Sequence, residues 1–175
     1  MVLNLFRKSP APDAVYAVYR AIVAQSRQPL FYADWGVPDT VTGRFDMISL
    51  HIGLVFHRLK GEGNDAAAFG QALFDLFFKD MDRSLREMGA GDLAVPKKVR
   101  KMTELFYALM TNINEAIDRG DVPGVEAVLR RNIFAECDAT HAGSLAAYLM
   151  AQHSALKAQP VPAITRGQLD MAVGA

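Results

Sequence analysis

The stretch Asn64–Met88, "NDAAAFGQALFDLFFKDMDRSLREM", decides the fold class. Phe69, Leu73, Phe77, Met81, Leu85 and Met88 recur at steps of three or four, the spacing that stacks side chains on one face of an α-helix. Phe74 and Phe78 widen that face. On the other side Asp75–Lys79, Asp82–Arg86 and Arg83–Glu87 stand four apart, as ion pairs along a solvated helix do. The segment predicts a helix of roughly 36 Å, stopped by Gly89 and Gly91. An apolar face wider than the usual ~100° stripe predicts a central position in a bundle.

The flanking sequence repeats the same period. A first helix is predicted from about Asp13 to Arg27, with Val15, Tyr16, Tyr19, Ile22 and Val23 as its stripe and Pro12 as its start signal. A second begins near Phe45 and continues through "DMISLHIGLVFHRLK" to a stop at Gly61 and Gly63. A fourth opens at "VPKKVRKM" and runs to Arg119, with Val99, Met102, Phe106, Leu109, Ile113 and Ile117 as its seam. "VPGVEAVLRRNIF" and "AGSLAAYLMAQHSALKA" supply a fifth and a sixth. No segment alternates with the period of a strand. The expectation is an all-α single compact bundle of about six helices, one domain over residues 1–175. Its core spans about 13–158, with flexible ends at 1–10 and 160–175.

Between the first two helices the chain pauses at "FYADWGVPDTVTGRF" (31–45). Helix connections in bundles usually take 2–8 residues, and longer ones tend to be functional. This one is too aromatic for disorder. Tyr32 and Trp35 are expected to anchor a long aromatic, Pro-containing loop across the bundle, while Asp39 and Thr40 cap the turn into the next helix. The loop either closes the core or frames, with neighbouring helices, an apolar groove for a client segment.

Composition narrows the partners. Nineteen basic and nineteen acidic residues balance to zero, so no global field attracts DNA, RNA or an anionic membrane. The single cysteine, Cys137, cannot form an intramolecular disulfide, which points to a reducing compartment. "MVLNLFRKSPAP" contains no apolar run of signal-peptide length, and no window approaches the ~18 apolar residues of a membrane span. A cytoplasmic protein is expected, with at most peripheral contact at the inner membrane face.

Catalytic and metal motifs are scarce. A di-iron bundle needs Glu-x-x-His twice, and the sequence offers only Asp138-x-x-His141, where Asp138 reads better as a helix cap. His51 and His57 are six residues apart and face different directions, so they cannot share a ligand. Cys137 near a helix end reads as a small buried filler rather than a nucleophile. "GEGNDA" lies between helices, not after a strand, and reads as a stop and a turn. No catalytic residue, metal site or cofactor is expected, and the protein is not read as an enzyme.

Binding features are stronger. Lys97, Lys98, Arg100 and Lys101 crowd the first turns of the fourth helix, where positive charge opposes the helix dipole. They form either a solvated basic face or a surface for RNA phosphate, lipid headgroup or acidic protein. Met81, Met88, Met102 and Met110 are core, or they line an adaptable apolar groove.

Two longer blocks carry a resemblance. "YADWGVPDTVTGRFDMISLHIGLVFHRL" (32–59) and "FKDMDRSLREMGAGDLAVPKKVRKM" (78–102), in that order, resemble the ubiquinol–cytochrome c chaperone family, assembly factors for cytochrome b of respiratory complex III. The matching positions include Pro38, Asp39, Thr40, Arg44, His51, Asp80, Asp82, Arg86 and Met88. The resemblance implies a helical, non-enzymatic chaperone that binds newly made cytochrome b or another complex III assembly component, with mitochondrial members meeting their client at the ribosome. The absence of a long N-terminal extension is read as the mark of a bacterial member. Asp80, Asp82 and Arg86 are expected either to rim the groove or to form the solvated face of their helix. Two other readings stand beside this one: an RNA- or ribosome-surface module using Lys97–Lys101, and a carrier of a lipid, quinone or haem between the helices.

Overall fold

In the computed structural model, which describes residues 10–171, every regular element is helical. The order is α1 (Pro12–Ser26), a five-residue π-helical turn (Leu30–Asp34), α2 (Val41–Leu59), α3 (Asn64–Glu87), α4 (Val95–Asp118), α5 (Val122–Asn132), α6 (Ala142–Ala158) and α7 (Val161–Ile164). Starts follow local chemistry. Proline occupies the first turn of α1, α4, α5 and α7, where its missing N–H costs nothing. Thr40 and Asp121 cap α2 and α5, accepting from the N–H groups of Gly43 (3.1 Å) and Gly124 (2.9 Å).

The central helix is α2, not α3. From Met47 to Val55 all nine residues are buried, because α1, α3, α4 and α6 surround them. Ser49, His51 and Gly53 interrupt the apolar run and hide this from a period count. Gly53 is there for space: a Cβ would lie 1.9 Å from the Met110 sulfur of α4. α3 is amphipathic instead. It buries Phe69, Leu73, Phe77, Phe78, Met81 and Leu85 on one side and leaves Lys79, Arg83 and Glu87 in solvent.

The connection after α1 is shorter and more structured than the sequence reading has it. α2 begins at Val41, four residues before Phe45, and Leu30–Asp34 form the π-turn. Phe31 is its anchor, 0% exposed, with the rings of Trp35, His51 and Tyr148 around it at centroid distances of 5.6, 5.6 and 5.0 Å. These edge-on contacts place ring hydrogens against π-faces. The Pro38 carbonyl then lies across the first turn of α2, so close that a Cβ on Gly43 would sit 2.0 Å from it. The segment closes the core.

The far end is also packed, against the expectation of a frayed tail beyond 160. Ile164 is fully buried, and Gly167, at φ 93°, lies so near α1 that a Cβ on it would sit 3.1 Å from the Ala14 Cα and 3.2 Å from the Ala17 Cβ. The Gln159 side chain clasps Asp170, donating to its carbonyl (2.6 Å) and accepting from its N–H (3.0 Å). The guanidinium of Arg58 closes the end of α6 on the carbonyls of Leu156 and Gln159. The expected flexibility of residues 1–10 falls, except for Pro10, outside the described residues.

His51 and Tyr148 join α2 to α6. The Met47 carbonyl, 2.7 Å from Nδ1, fixes the proton there, so Nε2 accepts from the Tyr148 hydroxyl at 2.8 Å, and Gln25 of α1 donates to that hydroxyl at 2.8 Å. Tyr148→Phe leaves the buried Nε2 without its donor and is expected to cost about 1–3 kcal/mol. Tyr32→Phe, which removes a bond to the Ser26 carbonyl from a half-buried ring, should cost less than about 1 kcal/mol. Chemical denaturation of both variants checks the ranking.

Candidate functional site

Among the described residues, three concavities on the surface differ in chemistry. The most apolar lies between the end of α2, the first half of α3 and the middle of α4. Ala66, Ala67 and Gly70 give α3 a low profile there, and Phe56, Leu59, Phe74, Phe106 and Tyr107 surround it, leaving a cleft of about 270 Å³. Its aromatic walls interlock, with Phe56–Phe106 at 6.1 Å and Phe74–Tyr107 at 5.8 Å between centroids. Tyr107 at the mouth is 57% exposed, and Leu105 is exposed on the same helix. At the turn between α3 and α4, Met88 is 54% and Leu93 90% exposed.

A second concavity of about 590 Å³ lies beside the start of α2, between Pro38, Gly43 and Asp46 on one side and Asn132, Ile133 and Cys137 on the other. Cys137 is exposed here, not the buried filler the sequence reading expects. The chain between α5 and α6 runs over the surface, and the thiol lies 3.9 Å from the Gly36 carbonyl. Asp138 caps a turn ahead of α6 through Thr140, while His141 holds the cap position itself. The third concavity, between α1 and α3, is basic.

The residues singled out from sequence distribute unevenly over this surface. Asp39 pairs with Arg44 through two bonds of 2.6 and 3.2 Å, and that guanidinium holds the Asp39 carboxyl below its ordinary range. Thr40 alone caps α2. Trp35 and Tyr32 are partly buried against the core, and Pro38 packs on Gly43. His51 is 0% exposed, so it supports the fold from inside and offers nothing to a partner. Asp82, Arg86 and Asp92 link the end of α3 to the following turn, at 2.7 and 2.6 Å from the guanidinium. Arg83 reaches Glu87 at 3.8 Å, whereas Asp75 accepts from Gln71 rather than Lys79. Asp80 faces α1 and accepts from Tyr19. Lys97, Lys98, Arg100 and Lys101 are all exposed, with Glu104 near Arg100 (3.2 Å) and Lys101 (4.0 Å). The structure therefore gathers Asp82, Arg86 and Met88 at one end of α3. It leaves Asp39 and Arg44 paired with each other where the loop enters α2; their neighbours Pro38 and Thr40 border the second concavity but they themselves do not line it.

The apolar cleft itself was missed. Its signal is the small-residue opening of α3, "AAAFGQA", facing the bulky "FHRL" of α2; a count of apolar positions passes over alanine and glycine.

These features define an all-helical protein with an apolar cleft and a basic trough on its surface. The family model for the Ubiquinol-cytochrome C chaperone matches residues 33–171, and the chain belongs to that family. It is 40% identical to a Cbp3 homolog from Brucella abortus, whose crystal structure aligns with a TM-score of 0.84 over 91% of this chain and 89% of that one. It is also 25% identical over 125 residues to ubiquinol-cytochrome-c reductase complex assembly factor 1 of Xenopus laevis, which covers 71% of this chain and 62% of that protein. The human counterpart is 27% identical over 121 residues, covering 69% of this chain and 40% of its own length. The chain thus spans about two-fifths to three-fifths of these longer relatives.

One buried and one partly buried group give stability an opposed pH dependence. Desolvation lowers the His51 imidazole to about 4, despite its bond to the Met47 carbonyl, and raises the Asp46 carboxyl to about 7. Between about pH 4 and 6.5 the unfolded chain binds a proton at His51 that the folded one does not, so this group makes stability rise with pH. Asp46 holds its proton longer when folded, so from about pH 4 to 7 it makes stability fall as pH rises. Asp46→Asn should leave the His51 slope alone. Its stability is expected to climb from pH 4 to 6.5, then level, and to exceed the parent's by about 1–2 kcal/mol at pH 8. Thermal melts across that range check the profile.

Proposed function

We propose that this protein is a non-enzymatic assembly factor that holds newly made cytochrome b, or a protein bound to it, before ubiquinol–cytochrome c reductase is complete. The observation that carries this reading is the apolar cleft walled by Phe56, Phe74, Phe106 and Tyr107, the last of them exposed at its mouth. Its dimensions suit a few apolar side chains of a helix laid into a groove. A membrane polypeptide outside the bilayer presents such side chains and needs them covered. Membership in the chaperone family supports the same reading, as do the names of the relatives. Among the described residues no helix is long and apolar enough to cross a membrane. The working location proposed is the cytoplasmic side, at the inner face of the membrane.

Gly70→Leu fills the cleft from its floor, where a Cβ meets Leu59 and Phe56 only at an ordinary 3.9 Å, so the fold should tolerate it. In a strain lacking the native gene, the parent sequence should restore cytochrome b and reductase activity. Gly70→Leu should restore less than about a third of either, at equal chaperone abundance. Normal cytochrome b levels in the deletion strain would refute the reading.

The four exposed cations at the start of α4 favour a second contact, with ribosomal RNA near the site of client synthesis. Co-sedimentation with ribosomes should then weaken steeply between 50 and 200 mM salt, on the order of tenfold or more. Lys97→Glu with Lys98→Glu should reduce it further. Salt-independent sedimentation would remove this contact from the proposal.

A further inference from the structure

The trough between α1 and α3 encloses about 530 Å³, and its chemistry differs from that of the client cleft. Four cations line it, Arg20 and Arg27 from α1 and Lys79 and Arg83 from α3, against one acid, Asp80. That acid is already satisfied. Tyr19 donates to one of its oxygens at 2.8 Å and Arg83 to the other at 2.5 Å. Burial and the neighbouring carboxylate hold the Tyr19 hydroxyl firmly protonated, so it adds no negative charge. Arg20, Arg27 and Lys79 are exposed and form no ion pair with any described residue, in a chain whose net charge is zero. Uncompensated like charges concentrated in one concavity raise the local potential and favour an anionic occupant.

We propose that this trough docks an acidic, amphipathic polypeptide segment of a partner protein. Arg20 on α1 and Arg27 at its C-cap are seven residues apart, two turns or about 10 Å, and Lys79 and Arg83 are one turn apart on α3. The cations thus form two rows facing each other along an elongated channel. A single phosphate would use one end of it; a run of carboxylates on a helix or strand uses its length. Between the rows, Val23, Ala24 and Leu76 make an apolar strip, with Tyr16 half-exposed at the edge. Leucine-type side chains interleaved with the carboxylates would bury against that strip. Arginine's planar fork pairs with carboxylates through two parallel bonds, which orients the segment as well as holding it. The concave shape also keeps a flat bilayer surface from reaching the strip. This site shares no residue with the client cleft and does not depend on it.

The probe is a fluorescein-labelled, amidated 15-residue helical peptide with Leu along one stripe and Glu elsewhere, compared with its Gln counterpart by anisotropy in 150 mM salt. The Glu peptide should bind at least tenfold more tightly than the Gln peptide. Arg20→Glu with Arg27→Glu should abolish that preference, and Arg20→Gln with Arg27→Gln, a milder change, should reduce it at least fivefold with unaltered thermal melts. Lys97→Glu with Lys98→Glu and Gly70→Leu should each leave it within twofold, which separates this site from the other two surfaces. The proposal is overturned by equal affinity for the two peptides, or by an equal loss when Lys97 and Lys98 are changed. It is equally overturned if phosphatidylglycerol vesicles, rather than the peptide, are what Arg20 and Arg27 retain.

Discussion

Everything in this structure depends on a neutral imidazole sealed inside α2. His51 can be buried only because both ring nitrogens are satisfied, one by the Met47 carbonyl and one by the Tyr148 hydroxyl. Satisfying them fixes where α6 lies against α2, and the same two rings then make two sides of the box that holds Phe31. Three chain segments, at residues 31, 51 and 148, are located by one polar chain and one aromatic contact set. Dispersion between apolar side chains could be satisfied by many arrangements; a hydrogen-bonded imidazole in a dry interior accepts very few.

Helix existence and most helix boundaries were legible in the sequence because they rest on local rules. α3 and α6 lie within a residue of where period and glycine stops put them, and Thr40 caps as its neighbours predict. Rank within the bundle was not legible. α2 carries a serine, a histidine and a glycine in its buried stretch, and each is explained only by a distant neighbour, Met110 for Gly53 and Tyr148 for His51. The tail beyond Pro160 misled for the same reason. Its order comes from Gln159, Ala14 and Ala17, which no local pattern connects to it. The site was half visible. The exposed cations and two of the three α3 ion pairs stand where spacing puts them, but a cleft is made by what is small, and smallness leaves no period.

The surface changes character along α3. Its first turns, rich in alanine and glycine, border an aromatic hollow. Its later turns carry Lys79 and Arg83 toward α1, beside a basic trough. One helix can serve both because a helical residue and the next one along point about 100° apart. Buried Phe69, Leu73 and Phe77 keep that helix rigid between the two regions, so each is presented on a fixed support.

The contact between Gly167 and the backbone of α1 has a consequence for how the chain comes into being. Residue 14 is synthesised early and residue 167 more than a hundred and fifty residues later, yet the latter forms part of the former's packing. α1 therefore keeps an open flank until the segment around Gly167 has been made and packs against it, so an early helix waits for its native enclosure on a stretch of chain more than a hundred and fifty residues later.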